Sequence, residues 1–230
     1  MGRPIRIHLP DLIYHILNRG NNRQNIFLED SDYLYYLDVL KRYKDKFNFK
    51  IFAYCLMVNH IHMVIMTSSR GTVSDIMKAI TIAHTRHYHY KYKTSGHVWQ
   101  GRFKSPIVST DEYLLTLIRY IEQNPVRAGI VDHPYKYRYS SYRANVKMEK
   151  DALIDVEENP GLSSLGRTMA ERIEQYKRIV SSRVQEDKAA LIRKSLSGQN
   201  HFSSDDYLAR VRERLRMIEK RPPGRPLTRD

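Results

Sequence analysis

Two histidines separated by one residue, His60 and His62, sit in an apolar run, AYCLMVNHIHMVIM, at residues 53–66. Successive side chains of a strand point to opposite faces, so both imidazoles share one face, about 7 Å apart along the chain. Val64 and Met66 continue that face, while Ile61, Met63 and Ile65 take the other and can anchor the strand in a core. Two imidazoles so placed can grip one divalent cation. They can equally be two partly buried, hydrogen-bonded histidines, and the pattern by itself leaves both open. Farther along, Tyr120 and Asn124 are four residues apart, which stacks them on one face of a helix. One offers a hydroxyl, the other an amide oxygen. A cation polarises a phosphoryl oxygen and lowers the pKa of a nearby oxygen nucleophile. A phenol, with a free pKa of about 10, needs such help. The plainer alternative makes Tyr120 a rim residue and Asn124 an N-cap, with Pro125 at the first helical position.

The elements that must position these groups are legible in outline. Leu12–Asn18 alternates and is rich in β-branched and aromatic residues, which predicts a strand. The turn RGNNRQ follows; its Arg19, Asn21 and Arg23 could meet phosphates or base edges, or could simply be solvated. Ser31 reads as an N-cap for a helix over about Asp32–Phe47, followed by a strand over Lys50–Met57 and then the histidine strand. A second helix spans about Val73–Tyr90, and His84 and His87 stand one turn apart on it. Gly96–Ser105 reads as a glycine-interrupted strand pair. There Trp99, Arg102 and Lys104 interleave aromatic and basic groups, as a single-strand binding surface would, or as a plain edge strand with a packed tryptophan. Ser109 with Glu112 forms a capping box for a third helix, which Pro125 should end near Asn124. The order β, hairpin-like, α, β, β, α, β, α is an α+β pattern: an antiparallel sheet with helices packed on it.

Beyond about Asn145 the composition shifts. Residues 1–146 read as one domain, 147–163 as a polar linker, 164–220 as a helical annex and 221–230 as a tail with three prolines and three arginines. The basic tyrosine-rich run at 134–143 places Arg143, and the Gly-Arg-Pro of the tail places Arg225, as further DNA contacts, the latter suited to a minor groove. The charge bounds the partner. There are 39 Lys and Arg against 25 Asp and Glu, a net charge of +14, which suits a polyanion, nucleic acid first. One cysteine excludes a disulfide framework and points to a reducing cytoplasm. No run has the length of a membrane span, and the spread of the cations disfavours a membrane-surface role.

The motifs agree with one another in order and spacing. AYCLMVNHIH, VWQGRFKS, YIEQNPVRAGIV and SSYRA, preceded by IYHILNRGNNRQNIF, resemble the single-tyrosine HUH transposases, and within them the REP-associated tyrosine transposases, over about residues 4–144. That resemblance implies a ferredoxin-like or RRM-like domain in which His60, His62 and Asn124 hold Mg2+ or Mn2+. It implies that Tyr120 attacks a phosphate of single-stranded DNA at a palindromic-repeat hairpin, leaving a 5′-phosphotyrosine and a free 3′-OH. It further implies a nucleoid-associated bacterial protein, with a monomer favoured over a dimer. Two other readings use the same residues. One is a non-catalytic hairpin-binding protein on the same fold. The other is a metal phosphoesterase for small phosphates, which would need a second histidine motif, for which His84-Thr85 is the only candidate.

Overall fold

The computed structural model describes residues 9–109, 112–148, 151–197 and 204–219. Four strands, β1 (Ile13–Arg19), β2 (Lys50–Met57), β3 (His60–Met66) and β4 (Ile107–Val108), form one antiparallel sheet in the order β2-β3-β1-β4. With α1 (Asp30–Phe47), α2 (Val73–Tyr92) and α3 (Glu112–Glu122) packed on it, the architecture is the α+β class the sequence predicts. The register fixes the site. His62 lies opposite Leu17 of β1 and Cys55 of β2, His60 opposite Arg19 and Met57, and His15 opposite Val64. Directly paired residues share a face, so His15, Arg19, His60 and His62 all project from the same side of the sheet. Ile16, Ile61, Met63 and Ile65 take the other side and are fully buried. They share one core with the stripes Tyr36, Val39, Leu40 of α1 and Val73, Ile76, Met77, Ile80 of α2.

Local chemistry moves several predicted boundaries. The helix α1 starts at Asp30 because Asp32 folds back, its Oδ2 accepting from the Leu28 and Glu29 amides at 2.7 and 3.1 Å. Glu29, not Ser31, is therefore the N-cap; the Ser31 hydroxyl donates to Glu29 instead. Thr72 caps α2 through a reciprocal pair with Asp75, each bond 3.1 Å. The strand pair expected at 96–105 does not form. Gly96 and Gly101 take positive φ values of 93° and 65°, and the segment makes isolated bridges instead, Trp99 with Gly20 just past β1 and Lys104 with Leu17 of β1. The capping box expected of Ser109 with Glu112 rests on a side chain outside the described residues. Pro125 ends α3 as expected, and a four-residue helix, α4 (Asn124–Arg127), follows directly, closed by Gly129 at φ 69°.

The chain then returns along β2. The Leu56 amide donates to the Tyr139 carbonyl and the Ser141 amide to that of Tyr54, so residues 139–141 cover the outer edge of the sheet before α5 (Tyr142–Lys147). The stretch expected to be a linker is packed rather than solvated. Leu153, Ile154, Val156 and Leu162 are buried, Ile51 N donates to Asp155 at 2.8 Å, and α6 (Pro160–Ser163) lies within it. The annex consists of α7 (Met169–Ser181), α8 (Glu186–Leu196) and α9 (Asp205–Glu219). Its hold on α3 and the residues after it is polar as well as apolar. Arg119 donates to the Ile179 carbonyl and the Ser182 hydroxyl, and Gln123 to the carbonyls of Val180 and Ser182. Among the described residues no helix is long and apolar enough to cross a membrane.

Candidate active site

The sheet face that carries the histidines meets the end of α3. The rings of His60 and His62 are 5.2 Å apart, and Tyr120 presents its ring 6.2 Å from that of His62. These separations unite two predicted ligands and the predicted nucleophile around one small space. His62 is buried, and so is Tyr120 at 6% exposure. Burial strips water from the imidazoles and disfavours their charged form. His60 is pushed down to about 4, chiefly by burial and then by Arg19 and Arg127; His62 is held far below the usual range by burial, then by its histidine neighbours. Both rings are therefore neutral at pH 7 and carry a lone pair for a cation.

The neighbours decide where those lone pairs point. Asn59 Nδ2 donates to the Arg23 carbonyl, which fixes the amide with its oxygen toward His60. His60 Nδ1 donates to that oxygen at 2.7 Å, which leaves Nε2 open. His62 Nδ1 and His15 Nε2 are joined by a 2.9 Å hydrogen bond, with the rings stacked at 5.2 Å. When His62 is the donor, its Nε2 is open as well. Each ring thus has one nitrogen occupied by a partner behind it, the arrangement that orients metal-binding imidazoles. The donor set fits a divalent cation to this extent.

The third predicted ligand is turned away. Asn124 Nδ2 donates to the carbonyls of Tyr120 and Ile121, and Asn124 Oδ1 accepts from Arg127 at 2.7 Å. The same guanidinium lies 3.7 Å from the centre of the Tyr120 ring. Arg127 is the last residue of α4, and the short turn forced by Pro125 is what lets it fold back over the phenol. Among the described residues no three His, Cys, Asp and Glu side chains gather in a way that could hold a metal. A third ligand from the protein would be the Asn124 amide oxygen, after Arg127 releases it.

The predicted DNA contacts divide. Arg19 projects beside His60 and helps depress it, and Asn21 and Arg23 are exposed in a turn where Arg23 takes φ 60°. That turn is tight: a Cβ on Gly20 would come within 2.2 Å of the Gln24 carbonyl oxygen. Arg102 and Lys104 are exposed along the β1 edge. Arg143 is exposed but donates to the Tyr135 carbonyl and lies over that ring at 5.0 Å. Trp99 is buried at 8% exposure, its ring 5.1 Å from His84, so it is the packed tryptophan of the two alternatives. Arg225 lies outside the described residues. His84 and His87 do not make a second metal pair. His84 is enclosed by Phe27, Tyr36 and Trp99, whereas His87 stacks on Tyr35.

Four neighbours of the site lie inside the quoted motifs, but spacing assigns them no role. His15 is one histidine in an alternating strand, Asn59 sits in a tight turn, and Arg127 stands seven residues past Tyr120 in YIEQNPVRAGIV. Glu122, fully buried, accepts from Ser141 Oγ at 2.6 Å, from Asn145 Nδ2 at 2.8 Å and from the Tyr176 hydroxyl. Only β-register could have singled out His15, and spacing does not supply register.

The family described as "Transposase IS200 like" matches residues 8–124, just over half of the chain, and so takes in the histidine strand, Tyr120 and Asn124. A curated protein of Haemophilus influenzae, named a REP-associated tyrosine transposase, is 28% identical over 146 residues, 54% of this chain and 80% of its own. A solved structure described as a REP-associated tyrosine transposase bound to a REP hairpin superposes with a TM-score of 0.53 at 18% identity. It covers 64% of this chain and 86% of its own, a likeness of fold.

Proposed function

The chain belongs to the IS200-like transposase family, and from that premise we propose that it cuts and rejoins single-stranded DNA at palindromic-repeat hairpins through Tyr120. The carrying observation is the approach of Tyr120 to His62, 6.2 Å between rings, on the face where His60 and His62 each keep a nitrogen open. The phenol oxygen attacks the phosphorus in line. The P–O3′ bond breaks with its electron pair on the 3′ oxygen, which takes up the phenolic proton through solvent. The products are a 5′-phosphotyrosine and a free 3′-OH. The linkage keeps the energy of the broken ester, so the reverse attack by a 3′-OH rejoins DNA without a nucleotide cofactor.

His60 and His62 would hold Mg2+ or Mn2+, with Asn124 completing the set. The ion would supply charge stabilisation at the phosphate and ease loss of the phenolic proton. The protein's own part is orientation. Asn59 and His15 fix the two imidazoles, Arg127 holds the phenol by its ring, and burial excludes competing water. The repeat as substrate rests on the two relatives described as REP-associated. The net charge of +14 supports a DNA partner.

The test is adduct capture. The full chain is incubated with Mn2+ and labelled hairpin oligonucleotides bearing random single-stranded flanks, then resolved under denaturing conditions. A covalent species that maps to Tyr120 and is lost in Tyr120→Phe is expected, with hairpin binding retained. Binding without any adduct would leave the non-catalytic hairpin-binding reading, and a free 5′-phosphate with no protein-linked species would favour the phosphoesterase.

A further inference from the structure

The annex reaches the phenol. α8 packs on α3, its Ala189, Ile192 and Leu196 are buried, and Arg193 stands beside that stripe. Its guanidinium pairs with Glu186, two turns back on the same helix face, and lies close enough to the Tyr120 side chain to interact with it electrostatically. Arg127 approaches the same ring from the α4 side, 3.7 Å from its centre. Two guanidiniums from elements 66 positions apart in sequence, 193 against 127, thus converge on the one phenol. The cost of this is plain. Like charges repel, and Arg127 is pushed below its usual range, first by burial and also by Arg193. Packing alone does not call for two cations there. An anion between them would remove the repulsion.

We propose that α8 supplies a working residue to the strand-cutting centre: Arg193 and Arg127 form a clamp that receives the non-bridging oxygens of the phosphate attacked by Tyr120. This inference rests on the reading of Tyr120 as the nucleophile. Arginine suits the task, because its planar fork matches a phosphate edge and stays charged. Seating the phosphate would draw Arg127 off Asn124 Oδ1 and leave that oxygen free to join the residues, His60 and His62, that would hold a cation. Glu186 holds Arg193 when DNA is absent and gives it up to the phosphate, whose two non-bridging oxygens can be held by both guanidiniums at once. Arg193 lies beyond residues 8–124, where the family match ends, so this contribution belongs to the annex.

The experiment uses the full chain with 15N-labelled arginine, as wild type, Arg193→Gln, Arg193→Lys and, as a control, the exposed neighbour Lys194→Gln. Inorganic phosphate is titrated while the arginine side-chain Nε–H signals are followed, and the hairpin pool with Mn2+ is used to time adduct formation. Phosphate is expected to move the Arg193 and Arg127 signals together. Arg193→Gln is expected to weaken the response at Arg127 about tenfold and slow the adduct about a hundredfold, with hairpin binding little changed. Arg193→Lys should recover part of the rate, and Lys194→Gln should behave as wild type. Arg193 is half exposed, so the glutamine variant is expected to melt as wild type does. Unchanged phosphate response at Arg127 in Arg193→Gln, or an unchanged adduct rate, overturns the clamp. If the wild type forms no adduct on any hairpin, the strand-cutting reading falls, and the phosphate titration still judges the clamp by itself.

Discussion

His62 and His84 are both buried, both neutral and both held well below the usual histidine range by loss of water. They stand on opposite sides of one domain and serve opposite ends. His62 is bonded to His15, faces Tyr120, and has His60 beside it. His84 is enclosed by rings, and neither of its nitrogens has a hydrogen-bond partner; beyond burial it feels only weak fields from His87, the Ile26 backbone and Asp32. A depressed histidine is therefore no sign of function by itself. What marks the first site is that each ring has one nitrogen occupied from behind and a reactive group in front.

The largest effect that could break this contrast is on turnover. His62→Ala is expected to lose at least about a thousandfold in adduct formation, the scale of a lost metal ligand. His84→Ala should keep the rate of its folded fraction and lose stability instead. Equal losses of rate, measured by timed capture on the hairpin pool, would erase the distinction.

Next in size is the response to acid. His84, like His60, sits at about 4 when folded against about 6.5 unfolded, so on acidification the unfolded chain takes the proton first. The stability from each neutral histidine is complete above pH 6.5 and is lost as pH falls toward 4, roughly 3 kcal/mol apiece. Glu122 opposes them. Burial raises it to about 7, so it favours the fold most below about pH 4.5 and that share is lost as pH rises to 7. The histidines, with His15 at about 3, outnumber the acid. Urea midpoints should therefore fall between pH 6.5 and 4.5, and a rise would mean that Glu122 dominates.

A smaller effect separates the two histidines directly. His84→Phe keeps the ring and removes two unpartnered nitrogens, and should stabilise the fold by about 1 kcal/mol at pH 7. The same change at His15 should destabilise it, because His62 Nδ1 would be left without a partner. The smallest expected signal is a melting shift. Millimolar Mn2+ should raise the melting temperature of the wild type by a few degrees, and of His84→Phe equally, but not of His60→Ala.

Much of this is legible in the sequence alone. Alternation marks β1 and the histidine strand β3, and three-four spacing marks α1 and α2, since their apolar stripes repeat cleanly. His60, His62 and Tyr120 could be named because they lie in dense motifs. Asn124 could be named, but not its orientation, which depends on Arg127 folding back after Pro125. Trp99 stays open between a stacking platform and a packed tryptophan, because interleaved aromatic and basic residues read alike whether exposed or packed. The linker at 147–163 looked solvated because its anchors are few and far apart: Asp155 finds Ile51 and Lys44, which are distant in sequence. Arg193 was invisible for the same reason, since nothing local ties α8 to α3.

One feature of the first domain bears on its company. A strand whose amides and carbonyls face water is a template on which a second chain can grow. On the outer side of β2 that template is already filled by residues 139–141, through Leu56 to Tyr139 and Ser141 to Tyr54. Ser141 also donates to Glu122. To splice its sheet to another molecule there, the protein would first have to peel this short selvedge away, and with it a support of the helix that carries its phenol.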